Sequence, residues 1–292
     1  MSHLSRVAVF GGVYNNTWAL SAVLDDAAAQ GAREVFCLGD LGGFGPLPDR
    51  VFPVLIDRGV TVMQGNYDHS IGHGLADCAC GYSDPRDNHY ARISYAYTQT
   101  KTSDRWLPYL RDLPGFLRRD WGGYRVHMAH GSPRQVNEFL WESTSSDAFL
   151  RRLLRAYDAD VLLVTHTGIP WVRRLPPELG GGLVVNVGAI GRPANDGRTG
   201  VWYALIDLPA TAATGDASAS GLALPGAAPA VLPPASSALT VTLRCVDYDH
   251  ERLCAEMRAE SLPEEFVETI ATGYWTTCLE ILPAKERLRG RF

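Results

Sequence analysis

Long apolar runs, export signals and excess positive charge are all missing from this chain. No stretch reaches the roughly 18 consecutive apolar residues of a membrane-spanning helix, so a membrane-embedded function is not expected. The opening segment, MSHLSRVAVFGG, passes straight into a strand-like run without the apolar core or cleavage site of an export signal, and the expected compartment is the cytoplasm. Lys and Arg number 27 against 32 Asp and Glu, for a formal charge of −5. That balance is the reverse of the basic surface on which broad nucleic-acid binding depends. Six cysteines are present, and in a reducing compartment free thiols are the expectation. Cys78-Ala-Cys80 could bind a soft metal or act in redox chemistry, or be buried or loop thiols; one Cys-x-Cys does not decide between these.

What remains is an ordinary globular composition, with 46% hydrophobic and 20% charged residues over 292 positions. That length can build one large core, or one domain with appendages. Strand and helix signals alternate from the start. Arg6–Phe10 is short, apolar and β-branched, and residues 18–30 carry paired apolar positions at Ala19/Leu20, Val23/Leu24 and Ala27/Ala28 before Gly31. That three-to-four spacing predicts an amphipathic helix with a glycine stop. Residues 34–38 read as a second strand, Val51–Asp57 as a second helix and residues 60–63 as a third strand. This βαβαβ succession predicts a largely parallel sheet, with ligands at the carboxyl ends of its strands.

Residues 75–113 break into polar loop and helix, and strands are predicted again at 126–129, Val161–Val164, 183–187, 201–206 and 239–246. Residues 249–259 and 263–272 read as helices, the second ending near Gly273. Between 209 and 238 the chain is low-complexity, dominated by Ala, Pro, Ser, Thr and Gly with Asp216 as its only charge, which predicts a disordered insertion. The expected organisation is therefore a core at 1–208, an insertion at 209–238, and a closing strand, helices and tail at 239–292.

Four polar residues sit in short loops just after apolar runs: Asp40 in VFCLGDLGGFGP, Asn66 in VTVMQGNYD, His130 in YRVHMAHGSP and His166 in DVLLVTHTGIP. One carboxylate, one amide oxygen and two imidazoles form a ligand set suited to a divalent transition metal such as Mn, Fe, Zn or Ni.

In this order the four segments resemble the calcineurin-like metallophosphoesterases, most closely their small bacterial phosphodiesterase branch. The resemblance implies an α/β fold, a two-sheet β-sandwich flanked by helices in four layers, αββα, with the strands at 126–129, 161–164, 183–187 and 201–206 expected in its second sheet. It implies that Asp40, Asn66, His130 and His166 hold one metal. Members of the family hold a second metal through Asp-x-His and the last His of Gly-His-x-His. Here those positions are Gly12, Tyr14 and Gly168, so one divalent ion is expected rather than two. Where relatives carry a leaving-group His, this chain has Tyr67, followed by Asp68.

The leading expectation is a metal-dependent phosphoesterase or phosphodiesterase acting on a small phosphorylated substrate. Tyr67 oriented by Asp68 would support the leaving oxygen, and Arg134 and Arg192 would stabilise developing charge. Arg86, His89 and Arg92 are further candidates from segments that the resemblance places near the site. Asn15, Asn16 and Asn137 read as caps and turns, and Glu138 and Glu142 as solvated helix faces. Two alternatives stay open: a catalytically inactive binding or scaffold module, and a metal enzyme of another reaction class. The tail from Trp275, with Leu279, Ile281 and Leu282, is expected to cover a sheet edge or join a protein partner or second copy.

Overall fold

The computed structural model describes residues 5–208 and 239–288. The first half contains β1 (Arg6–Phe10), α1 (Thr17–Ala29), β2 (Glu34–Cys37), α2 (Val51–Asp57), β3 (Thr61–Val62), α3 (Asn66–Gly72), α4 (Pro85–Lys101), α5 (Leu107–Asp112), β4 (Leu117–Trp121) and β5 (Tyr124–Met128). It is followed by α6 (Asp147–Ala156), β6 (Val161–Val164), β7 (Trp171–Arg174), β8 (Leu183–Asn186), β9 (Val201–Asp207), β10 (Thr240–Val246), α7 (His250–Ala259), α8 (Glu264–Thr272) and α9 (Ala284–Arg287). The predicted insertion, 209–238, lies outside the described residues.

The strands form two five-stranded mixed sheets, β10-β9-β1-β2-β3 and β4-β5-β6-β8-β7. Each has a run of three parallel strands, β1-β2-β3 in one and β5-β6-β8 in the other. Side-chain alternation along the strands divides the core into layers. Val7 and Val9 of β1, with Phe36 and Leu38, meet Val126, Met128, Val161 and Leu163 between the sheets. Ala8 and Phe10 point the other way, onto Leu20, Val23 and Leu24 of α1. Leu162 and Val164 of β6 likewise pack on Leu150, Leu153 and Leu154 of α6. Both faces of both sheets are thus covered, and the four-layer αββα sandwich follows. Burial of each of these Leu, Val or Phe side chains contributes about 1.5–3 kcal/mol.

Four departures from the sequence reading have physical causes. The strand at 201–206, expected in the second sheet, instead joins the first as β9, antiparallel to β1 with Val9 opposite Ala204. Its Ala204 and Ile206 face the intersheet core while Val201, Tyr203 and Leu205 face the α1 layer, so both of its faces fit that position. Strands β4 and β7 escape the sequence reading because they are edge strands rich in arginine, with one apolar face at most. Cys78 and Cys80, expected as free thiols, are joined by a disulfide. The tail, expected at a sheet edge or a partner, packs on its own chain: Trp275 and Leu282 are buried with Trp141 and Ile169, and Glu286 accepts hydrogen bonds from Ser143.

Candidate metal centre

The carboxyl ends of the parallel strands from both sheets converge on one rim. Asp40 follows β2, Asn66 opens α3 just after β3, His130 follows β5, His166 follows β6, and Arg192 lies in the loop leaving β8. All five are at most 7% exposed. The β2 and β3 loops touch through glycines. A Cβ at Gly39 would collide with the Gly65 nitrogen, and one at Gly65 with the Asp40 carboxylate and the His130 ring. Asp68 ties the same loops together by accepting from the backbone N–H of Asp40 (2.7 Å), Leu41 (2.9 Å) and Gly65 (2.8 Å). Asp40 and His166 occupy left-handed backbone conformations, with φ of +57° and +51°. That strain is tolerated only where the surroundings over-determine it, and it falls here on two of the candidate ligands.

The donor atoms face one point. One ligand atom from each of Asp40, His130 and His166 lies within 4.8 Å of the others. His130 Nδ1 is 2.7 Å from the Leu38 carbonyl, which can only accept, so this nitrogen carries a proton. In a neutral ring His130 Nε2 is then a lone pair, yet it faces Asp40 Oδ2 at 3.2 Å and His166 Nδ1 at 3.2 Å. Asn66 Nδ2 donates to the Cys78 carbonyl at 2.8 Å, which fixes the amide orientation and leaves Asn66 Oδ1 buried without a partner. In the metal-free chain a proton on His130 Nε2 bridges to the Asp40 carboxylate; a divalent transition ion suits the same place, since the mixed oxygen and imidazole set matches its ligand preference. His166 Nε2 also lacks a hydrogen bond, with the Cys80 backbone alongside.

Without a metal, protonation offsets the crowding of these groups. Burial raises the Asp40 carboxyl, but the neighbouring His130 and His166 more than offset it and hold Asp40 below its ordinary value. Burial lowers His130, whereas Asp40 raises it to a net upward shift. Burial, together with the charge on His130, pushes His166 down to about 3, so it presents a neutral imidazole at pH 7. Asp68 is raised to about 6 by burial and by the charge of Asp40, against the pull of its backbone donors.

A family model described as the calcineurin-like phosphoesterase superfamily domain matches residues 5–210. The chain belongs to this superfamily. An uncharacterised protein of Methanocaldococcus jannaschii is 26% identical over 216 residues, covering 70% of this chain and 83% of that protein. Among solved structures, a metallophosphoesterase from Sphaerobacter thermophilus superposes with a TM-score of 0.66 at 24% identity, covering 93% of this chain and all (100%) of that one. A hypothetical protein from Pyrococcus horikoshii superposes at 0.70 with 22% identity, covering 94% of this chain and 100% of that one. At those identities the two structures speak to the fold.

Within this superfamily scaffold the remaining candidates separate. Tyr67 lines the pocket beside the cluster; its N–H donates to Asp40 Oδ1 (3.0 Å) and its hydroxyl to Ser94 Oγ (3.1 Å). Burial raises the Tyr67 phenol above its ordinary value, so at pH 7 it is a proton donor and not a phenolate. Asp68 does not orient the Tyr67 hydroxyl; both of its oxygens are engaged by backbone N–H groups. Arg134 is not part of the pocket wall: its side chain is half exposed, paired with Glu138 and stacked over Phe149. Arg86 is drawn to the Thr276 carbonyl and Glu280, and His89 and Arg92 are exposed. Arg192 does line the pocket.

Several wall residues were not singled out from sequence. Tyr82, Tyr90 and Ser94 come from α4 and the loop before it, and Thr277 and Cys278 come from the tail. Asn16 caps α1 by accepting from the Ala19 N–H at 3.0 Å, as expected for an Asn before an amphipathic helix. Asn15 holds the loop opposite, donating to the Gly43 and Gly45 carbonyls at 2.8 Å each.

Proposed function

We propose that the chain is a metal-dependent phosphoesterase that works with one divalent transition ion held by Asp40, Asn66, His130 and His166. The observation that carries this reading is the buried convergence of His130 Nε2, the Asp40 carboxylate and His166 Nδ1, with Asn66, whose Oδ1 is buried and unpartnered, lining the same pocket as Asp40 and His166. When bound, such an ion lowers the pKa of water and polarises a phosphoryl oxygen.

The chain's own groups support hydrolysis around that centre. Neutral His166 and anionic Asp40 lie on the wall of a cavity of about 50 Å³, room for a few waters or one tetrahedral oxyanion. Tyr67, on the same wall, gives its single O–H to Ser94 in the substrate-free chain and would turn that proton to a leaving oxygen when substrate binds. The substrate proposed is a small phosphorylated molecule whose phosphoryl end enters this cavity, with the rest outside. The described residues include no helix long and apolar enough to cross a membrane.

A second reading, a binding module without turnover, has one observation in its favour. Positions 12 and 168 are glycines, and aromatic rings take the space beside them. Metal analysis of untagged protein, followed by assays with a phosphodiester and a phosphomonoester chromogenic substrate, separates the two. About one ion per chain with turnover that Tyr67→Phe slows at least tenfold supports the hydrolase. One ion per chain without turnover on either substrate favours the binding module, and no ion after reconstitution removes the hydrolase reading.

A further inference from the structure

One charge in the pocket has no counterpart within the chain. Arg192 is 7% exposed, its Nε has no hydrogen-bond partner, and although its guanidinium hydrogen-bonds the Cys278 side chain, its electrostatic neighbours are Tyr14, Tyr82 and Cys278 rather than a carboxylate. Among the described residues no Asp or Glu forms an ion pair with it. A guanidinium kept in such surroundings is costly unless an anion joins it.

The packing around Arg192 is specific. Its guanidinium carbon lies 3.5 Å from the Trp275 ring centroid, 5.8 Å from that of Tyr14 and 5.9 Å from that of Phe44. Stacking on Trp275 engages a face of the guanidinium and leaves the in-plane N–H groups, the ones that clamp an oxyanion, free of that contact. Trp275 is itself pinned to the Arg192 loop, donating from Nε1 to the Pro193 carbonyl (2.6 Å) and from its backbone N–H to Asn195 Oδ1 (2.9 Å). The two aromatic rings occupy the space next to the ligand-free positions: the Tyr14 ring end is 2.8 Å from the Cβ site at Gly12, and Trp275 is 3.6 Å from that at Gly168. Arg192 and the Asp40–Asn66–His166 face line the same cavity.

We propose that Arg192 is the second cation of this site, so that a phosphate-class oxyanion is clamped between its guanidinium and the ion held by Asp40, Asn66, His130 and His166. Trp275 is the positioning residue that holds the guanidinium, and Tyr14 closes the space in which another ion would sit. This rests on the metal-site reading above. The ligand class is a tetrahedral oxyanion, which a cavity of about 50 Å³ admits.

The test is calorimetric titration of inorganic phosphate into the Zn-loaded protein, with metal content measured on the same samples. Arg192→Gln should keep the wild-type metal content while phosphate affinity falls roughly 10- to 100-fold. Arg192→Lys should also fall, because an ammonium keeps the charge and loses the planar fork and the stacking. Acetate should bind more weakly than phosphate to wild type. Unchanged phosphate affinity in either variant at unchanged metal content overturns the proposal and leaves the metal site standing. If wild type takes up no ion, the metal reading fails, and the titration is read on metal-free protein. There, phosphate binding lost in Arg192→Gln still supports an anion clamp, and equal binding overturns it. Should Arg192→Gln not fold, Arg192→Lys and Trp275→Phe carry the comparison, Trp275→Phe being expected to weaken phosphate without altering metal content.

Discussion

The phenolic end of Tyr14 occupies the place of a side chain at Gly12: its Cζ lies 2.8 Å and its hydroxyl oxygen 2.9 Å from where a Cβ on residue 12 would stand. The two positions are therefore one packing unit, and a ligand at position 12 is excluded while the tyrosine holds this rotamer. Gly12 also has a φ of +53°, and its Cβ site is 2.8 Å from the Ala189 methyl. Gly12→Ala should cost about 1–3 kcal/mol through overpacking and backbone strain. In a Tyr14→Ala background the cost should shrink but not vanish, since Ala189 and the backbone remain. A coupling energy of about 0.5–3 kcal/mol is expected from a double-mutant cycle in urea. Strict additivity would mean that Tyr14 swings away freely.

The two imidazoles of the centre should differ when removed. His166→Ala deletes a ligand whose Nε2 has no hydrogen bond, so the expected result is loss of bound metal with a modest change in the urea midpoint. His130→Ala should lose the metal as well, and in addition cost about 2–4 kcal/mol. It removes the hydrogen bond to the Leu38 carbonyl, which joins the loop after β5 in one sheet to the end of β2 in the other. Equal destabilisation by both substitutions would show that the Leu38 contact carries no weight.

Much of this frame was legible in the sequence because binary patterning fixes strands buried on both faces. Arg6–Phe10 and Val161–Val164 carry apolar residues at nearly every position, and both form as predicted. Asp40, Asn66, His130 and His166 were visible because each ends such a run. The anchoring role of Asp68 was hidden, since backbone N–H partners leave no mark on composition. Arg134 and Arg192 look alike as loop arginines; a nearby Glu138 takes one, and the aromatic wall from Trp275 takes the other. That wall comes from a tail 83 positions beyond Arg192 in the chain, since 275 − 192 = 83, and no local pattern predicts so distant a contact.

The loop closed by the Cys78–Cys80 disulfide has a measurable connection to the metal centre. The Cys78 carbonyl accepts from Asn66 Nδ2 at 2.8 Å and so fixes the amide with its Oδ1 buried and free for a ligand role. Partners that orient a ligand are typically worth about 10–100-fold in metal affinity. Cys78→Ser with Cys80→Ser should therefore weaken metal binding about tenfold in chelator competition, and dithiothreitol should do the same to wild type but not to the double variant. Identical affinities with and without reductant would mean that the loop holds Asn66 regardless of the disulfide.

Acid should weaken the fold through a histidine outside the candidate ligand set. His127 in β5 is 4% exposed, stacks on Phe116 at 5.3 Å, meets Tyr157 edge-on at 5.7 Å, and has no partner on Nδ1. Burial, with help from the charge of Arg118 opposite it on β4, lowers its pKa from 6.5 to about 4. The unfolded chain thus takes up a proton as pH falls below about 6.5, whereas the folded chain resists until about 4. The stabilising contribution is present in full above about 6.5 and is lost as pH falls through the folded value, by up to about 3 kcal/mol. His127→Phe keeps an aromatic ring between Phe116 and Tyr157 and cannot titrate. Urea midpoints of the two proteins should run parallel above about pH 7 and diverge between about 6.5 and 4, with wild type falling faster. Because every other titrating group is common to both, the difference isolates His127. Curves that stay parallel throughout would mean that His127 takes up its proton as readily in the folded chain as in the unfolded one.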